Sequence, residues 1–324
     1  MPFVTDILGP RRPVDLTPPL TPGRMRRTST IDTHPGGPGE SFAELRGRDA
    51  VGTEDGIAVV GQVQIRARLV DFVVDDIEPT PPDARLDALR GQRVSRGFRA
   101  KLGELLPDEV RKASLLHLLL DDWVGAALVS GYGIQHTAIS LGIEQKMPPG
   151  VADRMTGICA GFAPEASVVG YARQHDVIPT GRGPVAPALA GLHEAEPLRA
   201  RGMRRLRRLD TWPVGDGVVE FDAHFRDSHT DDDLVETIVH EYTVTGTLQE
   251  STRTVLSARA DVRVLPWQEC PGAVESAARI AGMTLTELRD RVRVEFVGTS
   301  TCTHLNDTLR AIADLDALLN LPIR

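Results

Sequence analysis

The chain has 324 residues, 41% hydrophobic and 25% charged, which is long enough for two soluble domains with buried cores. A formal net charge of -8 argues against nucleic acid as a partner, because phosphate binding requires a basic surface. Three cysteines, an odd number, exclude a disulfide framework and favour a reducing, cytoplasmic setting.

The first segment, residues 1–24, is rich in proline and has little hydrophobic periodicity. We expect a flexible tail there. It lacks a charged region followed by an apolar region, so it does not read as a signal peptide. The first structural unit should therefore begin near residue 25.

Residues 25–150 are predicted to form a first α+β half. The stretch "VVGQVQIRARLVDF" alternates apolar and polar residues, as a half-buried strand does. Farther on, "SLLHLLLDDWVGAALVSGYGI" is apolar but contains Asp121 and Asp122, which would cost several kcal/mol in a bilayer. This stretch indicates a buried helix and loop, and we expect no membrane partner.

A connecting loop and helix is predicted over residues 151–203, and it leads into a basic run with six arginines between Arg199 and Arg208. Such a run could contact the acidic tail of a cofactor such as coenzyme A. A solvated helix face or a layer of salt bridges between the halves is the favoured interpretation.

Residues 204–324 are predicted to form the second half. Val219, Phe221, Ala223 and Phe225 alternate with polar residues, and "TIVHEYTVTGTL" and "SARADVRVLPW" indicate two more strands. Two helix-like stretches and a final amphipathic helix follow. Strands first and helices after indicate an α+β fold with antiparallel sheet in each half.

The two halves resemble each other in sequence at a constant offset. Asp32 and Asp210 lie 178 residues apart, as do Asp49 and Asp227, within similar short blocks. His117 matches His304 after a short insertion. This spacing predicts two similar halves, each an antiparallel meander followed by helices, with chance similarity of short blocks as the alternative.

Residues able to carry chemistry concentrate in the second half. Cys302 precedes the final helix, whose positive end favours a thiolate, and His304 follows two residues later. His240 and Glu241 lie within a strand, so they should face opposite sides of the sheet. Cys270 stands before a proline at a strand-to-helix turn and could be a metal ligand. Packing roles are the alternative for all five.

Three other groups are weaker candidates. His117 and Asp121 are one helical turn apart and could form a general-base pair, or a structural one. His224 and His229 flank Asp227 near a strand end. Cys159 lies in a loop of small residues, and we interpret it as structural.

Residues 204–316 resemble the bacterial domain of unknown function 2889. The resemblance rests on an arginine-rich start, "FDAHFRDSH", "IVHEYTVTGTL", "VLPWQECPGA" and, most specifically, the Cys-Thr-His-Leu run from Cys302. It implies that His240, Glu241, Cys270, Cys302 and His304 are the site residues, but it names no reaction. The first half would then be a degenerate copy, with Leu115 opposite Cys302 and Gly61 and Gln62 near the places of His240 and Glu241.

These observations predict an enzyme of small-molecule metabolism, a hydrolase or lyase acting on an apolar or aromatic substrate. The catalytic residues would be Cys302, His304, His240 and Glu241. The metal ligands would be Cys270, Cys302, His304 and His240, a donor set that suits zinc. The alternatives are a non-catalytic binding or scaffold protein with a structural zinc, and an acyl-coenzyme A-binding protein. Assembly into a homo-oligomer is left open.

Overall fold

The computed structural model describes residues 3–95, 97–143 and 147–321. The protein has the predicted α+β fold, with one antiparallel sheet of eight strands and helices packed against it. Residues 1–2 of the expected tail, residues 96 and 144–146 of the first half and residues 322–324 of the second lie outside the described residues.

Eight strands form the sheet in the order β4-β3-β2-β1-β5-β6-β7-β8. The strands are β1 Met25–Pro35, β2 Glu40–Thr53, β3 Gly56–Val70, β4 Val73–Thr80, β5 Met203–Gly215, β6 Val218–Thr230, β7 Glu236–Gln249 and β8 Thr254–Val264. Each half therefore contributes a four-stranded meander. The two meanders join because β1 pairs antiparallel with β5, from Met25 opposite Thr211 to Thr33 opposite Met203.

Helices follow the strands in each half, as predicted. They are α1 Phe98–Leu105, α2 Pro107–Arg111, α3 Leu115–Ser140, α4 Val151–Met155, α5 Ser167–His175, α6 Leu285–Glu295, α7 Thr303–Ala311 and α8 Leu315–Leu319. A 3-10 helix, Cys270–Ile280, precedes α6. The apolar run predicted as helix and loop is a single helix, α3, of 26 residues, capped by Ser114. Within the described ranges, no helix is both long and apolar enough to cross a membrane.

The two faces of the sheet are covered by different elements. Adjacent residues of a strand point to opposite faces. Arg27 donates to the carbonyl of Ala113, just before α3, so the helices lie on that face. Arg26 donates to the carbonyls of Pro18 and Gly191, so the N-terminal segment and the connecting segment lie on the other face.

The N-terminal segment, expected to be a flexible tail, is hydrogen bonded to the connecting segment and to the second half. The amide of Val4 donates to the carbonyl of Thr180 at 3.1 Å, and the amide of Arg12 donates to the carbonyl of Arg263 at 2.9 Å. We call residues 3–24 the N-terminal strap.

Two irregularities of the first meander have counterparts in the second, whereas the shifts after Pro213 in the β5–β6 pairing and after Glu241 in the β7–β8 pairing have none in the first. The pairing of β2 with β3 shifts between Asp49 and Ala50, and that of β6 with β7 shifts between Asp227 and Ser228, 178 residues later. The pairing of β3 with β4 shifts after Arg68, and that of β7 with β8 shifts after Thr247. A bulge bends the strand and redirects the neighbouring side chains.

Buried salt bridges also repeat at the same offset. Across the β1–β5 junction, Arg26 donates twice to Asp210 at 2.6 and 2.7 Å, and Arg204 donates twice to Asp32 at 2.7 Å. Most arginines of the basic run lie on β5 and meet carboxylates in this way. The favoured interpretation of a salt-bridge layer therefore describes the run, whereas a helical face does not.

Candidate functional site

Three side chains of types that can bind a metal ion meet on the helical face of the second half. Asp227 of β6, His240 of β7 and His304 of α7 place one ligand atom each within 4.8 Å of one another. Both Asp227 and His240 are buried, whereas His304 is partly exposed. We call these three residues the donor triad.

The pairing of β6 with β7 and the first turn of α7 bring the three side chains of the triad together. Asp227 lies directly opposite His240 in the β6–β7 ladder, at the bulge, and the His240 Nδ1 atom is 3.3 Å from an Asp227 carboxylate oxygen. The His304 ring stacks on the His240 ring with centroids 3.5 Å apart. His304 stands in the first turn of α7, which begins at Thr303.

Arg205 holds the carboxylate of the triad in place. Its Nε and Nη2 atoms donate to the two oxygens of Asp227 at 2.8 and 3.0 Å, and its Nη1 atom donates to Asp122 and Asp307. Asp122 lies on α3, so the first half contributes to this support. A carboxylate fixed by a bidentate arginine is preorganised to bind through its remaining lone pairs.

The protonation of the triad follows from burial and from the neighbouring charges. Burial opposes ionisation of Asp227, but Arg205 and the nearby His240 outweigh it and keep its pKa well below the usual range. Burial and then His240 lower the pKa of His304 well below its ordinary value. At neutral pH the site therefore offers a carboxylate and a neutral imidazole, the forms that bind metal.

Cys302 lies beside the triad but differs from expectation in its charge. It precedes α7 at the N-cap position, and its Sγ atom is 3.9 Å from His304 Nδ1. Burial raises the pKa of the thiol more than Tyr242 and the first-turn amides lower it. The expected stabilisation of a thiolate by the helix dipole is thus outweighed by desolvation, and Cys302 is a neutral thiol.

All three cysteines lie near one another, and all are free. Burial and then Cys302 raise the pKa of Cys159 to about 11 and that of Cys270 well above its usual value. The amide of Ala160 donates to the carbonyl of Thr301, which joins the two loops. The sequence interpretation of Cys159 as an isolated structural residue missed this neighbourhood, because the contact is non-local.

The predicted metal set is not gathered as one centre. In the part of the chain that the structure describes, the donor triad is the group with ligand atoms this close together, and it excludes Cys270 and Cys302. His240 and His304 are brought together as predicted. Asp227, which the sequence placed only among the weaker candidates, is the third member of the triad.

Glu241 lies on the opposite face of the sheet from His240, as the alternation predicts. Its carboxylate accepts hydrogen bonds from His224 Nε2 at 2.8 Å, from Arg226 Nε at 2.6 Å and from the Val14 amide at 2.8 Å. It is fully buried there, under the N-terminal strap. The Glu241 carboxylate therefore faces away from the donor triad.

The other candidate pairs are engaged elsewhere. The Asp121 carboxylate binds Arg310 and Arg99, so it does not orient His117, whose pKa burial lowers to about 3. The His229 ring packs against His136 with centroids 4.4 Å apart, in an aromatic cluster.

Comparison with known proteins finds one family that matches part of the chain. No curated protein and no solved structure matches the chain. Residues 203–317 match the family described as "Protein of unknown function (DUF2889)", which confirms the resemblance predicted for the second half.

Proposed function

We propose that the second half is a metal-dependent enzyme of small-molecule metabolism, a hydrolase or lyase, whose metal is held by Asp227, His240 and His304. The observation that carries this proposal is the convergence of three ligand atoms within 4.8 Å. Two imidazoles and a carboxylate suit zinc and other first-row divalent metals.

The number of protein ligands favours catalysis over a structural role. Structural zinc is closed by four protein ligands, whereas catalytic zinc keeps one position for water or substrate. The triad supplies three ligands, and His304 is its partly exposed member. Phe225, whose ring centroid lies 6.3 Å from that of His304, gives the surroundings an apolar wall.

A non-catalytic scaffold is the second candidate function. It is favoured by the double hydrogen bond between Arg205 and Asp227, which links the triad to a buried ion network between the halves. The acyl-coenzyme A alternative has less support, because Arg204, Arg205, Arg207 and Arg208 each contact a carboxylate.

Zinc binding by the whole chain tests the proposal. We expect one zinc ion per wild-type chain by native mass spectrometry, loss of this zinc in His304→Ala, and retention in His117→Ala. His117 is the matched control, since it is a buried histidine of the first half. A wild-type chain that binds no zinc, or a His304 variant that binds it as well, would overturn the proposal.

Turnover separates the enzyme from the scaffold. The zinc-loaded protein should hydrolyse members of a panel of esters, lactones and amides, and His304→Ala should not. Zinc binding without turnover, together with unfolding on zinc removal, would favour the scaffold.

We also infer that the halves are copies of one unit, of which the first has lost the site. The matching bulges and salt bridges support this inference. Gly61 lies opposite Asp49 in the ladder where His240 lies opposite Asp227, and the Leu115 side chain fills the adjoining space. A crystal structure would contradict the inferred duplication if the two meanders did not superpose with residues about 178 positions apart on top of one another.

A further inference from the structure

An open groove lies in the first half, on the face of the sheet where the N-terminal strap and the connecting segment lie, which we call the strap-side face. It encloses about 1320 Å³ between β1, β2, β3 and the connecting segment. We call it the open-face groove and define it by Arg46, Arg48, Gln62, Gln64, Arg66 and His193. The groove contains no residue of the donor triad. A ligand bound in the groove would therefore be separate from the proposed metal site.

Arg48 is a half-buried cation that lines this groove. Its Nε atom is buried and has no hydrogen-bond partner, and within the described residues it forms no salt bridge. By contrast, the adjacent Arg46 pairs with Asp32 at 3.1 Å and with Glu44. A buried N–H without an acceptor is unfavourable, and an anion bound to the half-buried guanidinium would supply the missing counterion.

The second half supplies an internal comparison. Arg226 stands 178 residues after Arg48 and is also on the strap-side face. Its Nε atom donates to Glu241 at 2.6 Å, and its other nitrogens donate to the carbonyls of Pro187 and Val14. Arg226 is therefore neutralised by a carboxylate and covered by the N-terminal strap and the connecting segment.

The first half lacks both features. Gln62 lies directly opposite Arg48, as Glu241 lies opposite Arg226, so a neutral amide takes the place of the carboxylate. The groove is open where the second half is covered. Glu194 raises the pKa of Arg48, but its effect is smaller than the lowering by burial or by Arg26, and Glu194 is exposed to solvent.

We propose that the open-face groove binds a small ligand through a carboxylate or phosphate group, with Arg48 as its counterion and Gln62 and Gln64 as hydrogen-bond donors. The planar guanidinium matches such oxyanions in two-point geometry. Asp32 and Glu44, which pair with Arg46, and exposed Glu194 and Glu196 also line the groove, so a ligand of low negative charge is preferred over a polyanion.

Calorimetric titration of the metal-free full chain with inorganic phosphate and, separately, with acetate tests this proposal. Metal-free protein keeps the outcome independent of the donor triad. We expect saturable binding of at least one probe with a dissociation constant in the millimolar range. The stronger probe distinguishes a phosphate ligand from a carboxylate ligand.

Three variants locate the binding. Arg48→Gln and Gln62→Glu should each weaken it by at least about tenfold, the latter by supplying the carboxylate that Arg226 has. Arg66→Gln removes the same charge from the exposed side of the groove and should change the affinity less than about threefold. No saturable binding by the wild type, or equal loss in the Arg48 and Arg66 variants, which would mean an adventitious ion only, would overturn the proposal.

Discussion

Asp227 and Asp49 occupy matching places, which allows the structural and chemical roles of Asp227 to be separated. Asp227 is fully buried and accepts from Arg205 at 2.8 and 3.0 Å, and Asp49 is 5% exposed and accepts from Arg27 at 2.8 and 2.7 Å. Either substitution by Asn removes the charge that neutralises a buried guanidinium. Breaking a buried ion pair costs about 3–5 kcal/mol.

We expect the lower end of that range in both variants. Arg205 keeps Asp122 and Asp307 as partners at 3.1 and 3.0 Å, and Arg27 keeps Asp314 at 3.1 Å. Urea unfolding of the metal-free proteins should therefore give a loss of about 3 kcal/mol for each.

Zinc affinity should differ between the two variants although their stabilities are similar. Competition with a chromophoric chelator should show wild-type affinity for Asp49→Asn. For Asp227→Asn we expect a loss of more than about 100-fold, since changes to outer-shell partners alone cost 10–100-fold. Equal zinc affinity in Asp227→Asn and wild type, or equal loss in both variants, would refute the assignment of Asp227 as a ligand.

Three further substitutions test neighbouring parts of the structure. Glu241→Gln should destabilise the fold by about 3 kcal/mol in urea, because it leaves Arg226 unpaired, but should not change zinc affinity. Native mass spectrometry of Cys302→Ser should still show one zinc per chain. Loss of zinc in this variant would indicate that the thiols are among the ligands. His229 is neutral when folded because burial lowers its pKa to about 4, whereas the unfolded histidine titrates near 6.5. The wild type should therefore lose up to about 3 kcal/mol of unfolding free energy from this residue as pH falls from 6.5 to 4, and His229→Phe should lose correspondingly less over that window. Parallel pH dependences of the two proteins would contradict this.

The strand pattern of the second half could be predicted from the sequence because it is local. Alternation in "TIVHEYTVTGTL" correctly assigned His240 and Glu241 to opposite faces. The same alternation should have excluded Glu241 from a site that uses His240. The family resemblance implied that Glu241 belongs to the site, whereas its carboxylate accepts a hydrogen bond from Arg226 on the strap-side face.

The position of Asp227 beside His240 and His304 could not be predicted from the residues that surround it in the sequence. Its position opposite His240 depends on the β6–β7 register and on a bulge, both of which are set by pairing between distant residues. The available signal was the repeated offset from Asp49, which marks Asp227 as a residue fixed by the fold.

The basic run shows why the sequence of a buried strand can resemble that of a solvent-exposed segment. Arg205 and Arg207 face the helices and Arg204 and Arg208 face the strap side, so charges occupy both faces of β5. Carboxylates from distant segments neutralise them, which removes the hydrophobic alternation by which strands are recognised. In the same way, helix-end electrostatics predicted a thiolate at Cys302, and only the fold revealed the burial that opposes it.

The most direct measurement is an anomalous difference map, collected at the zinc absorption edge from crystals of the zinc-loaded full chain. The account predicts a peak within bonding distance of the Asp227 carboxylate and one ring nitrogen each of His240 and His304, about 2.0–2.2 Å. A peak between the sulfur atoms of Cys159, Cys270 and Cys302, or no peak on the second half, would contradict it.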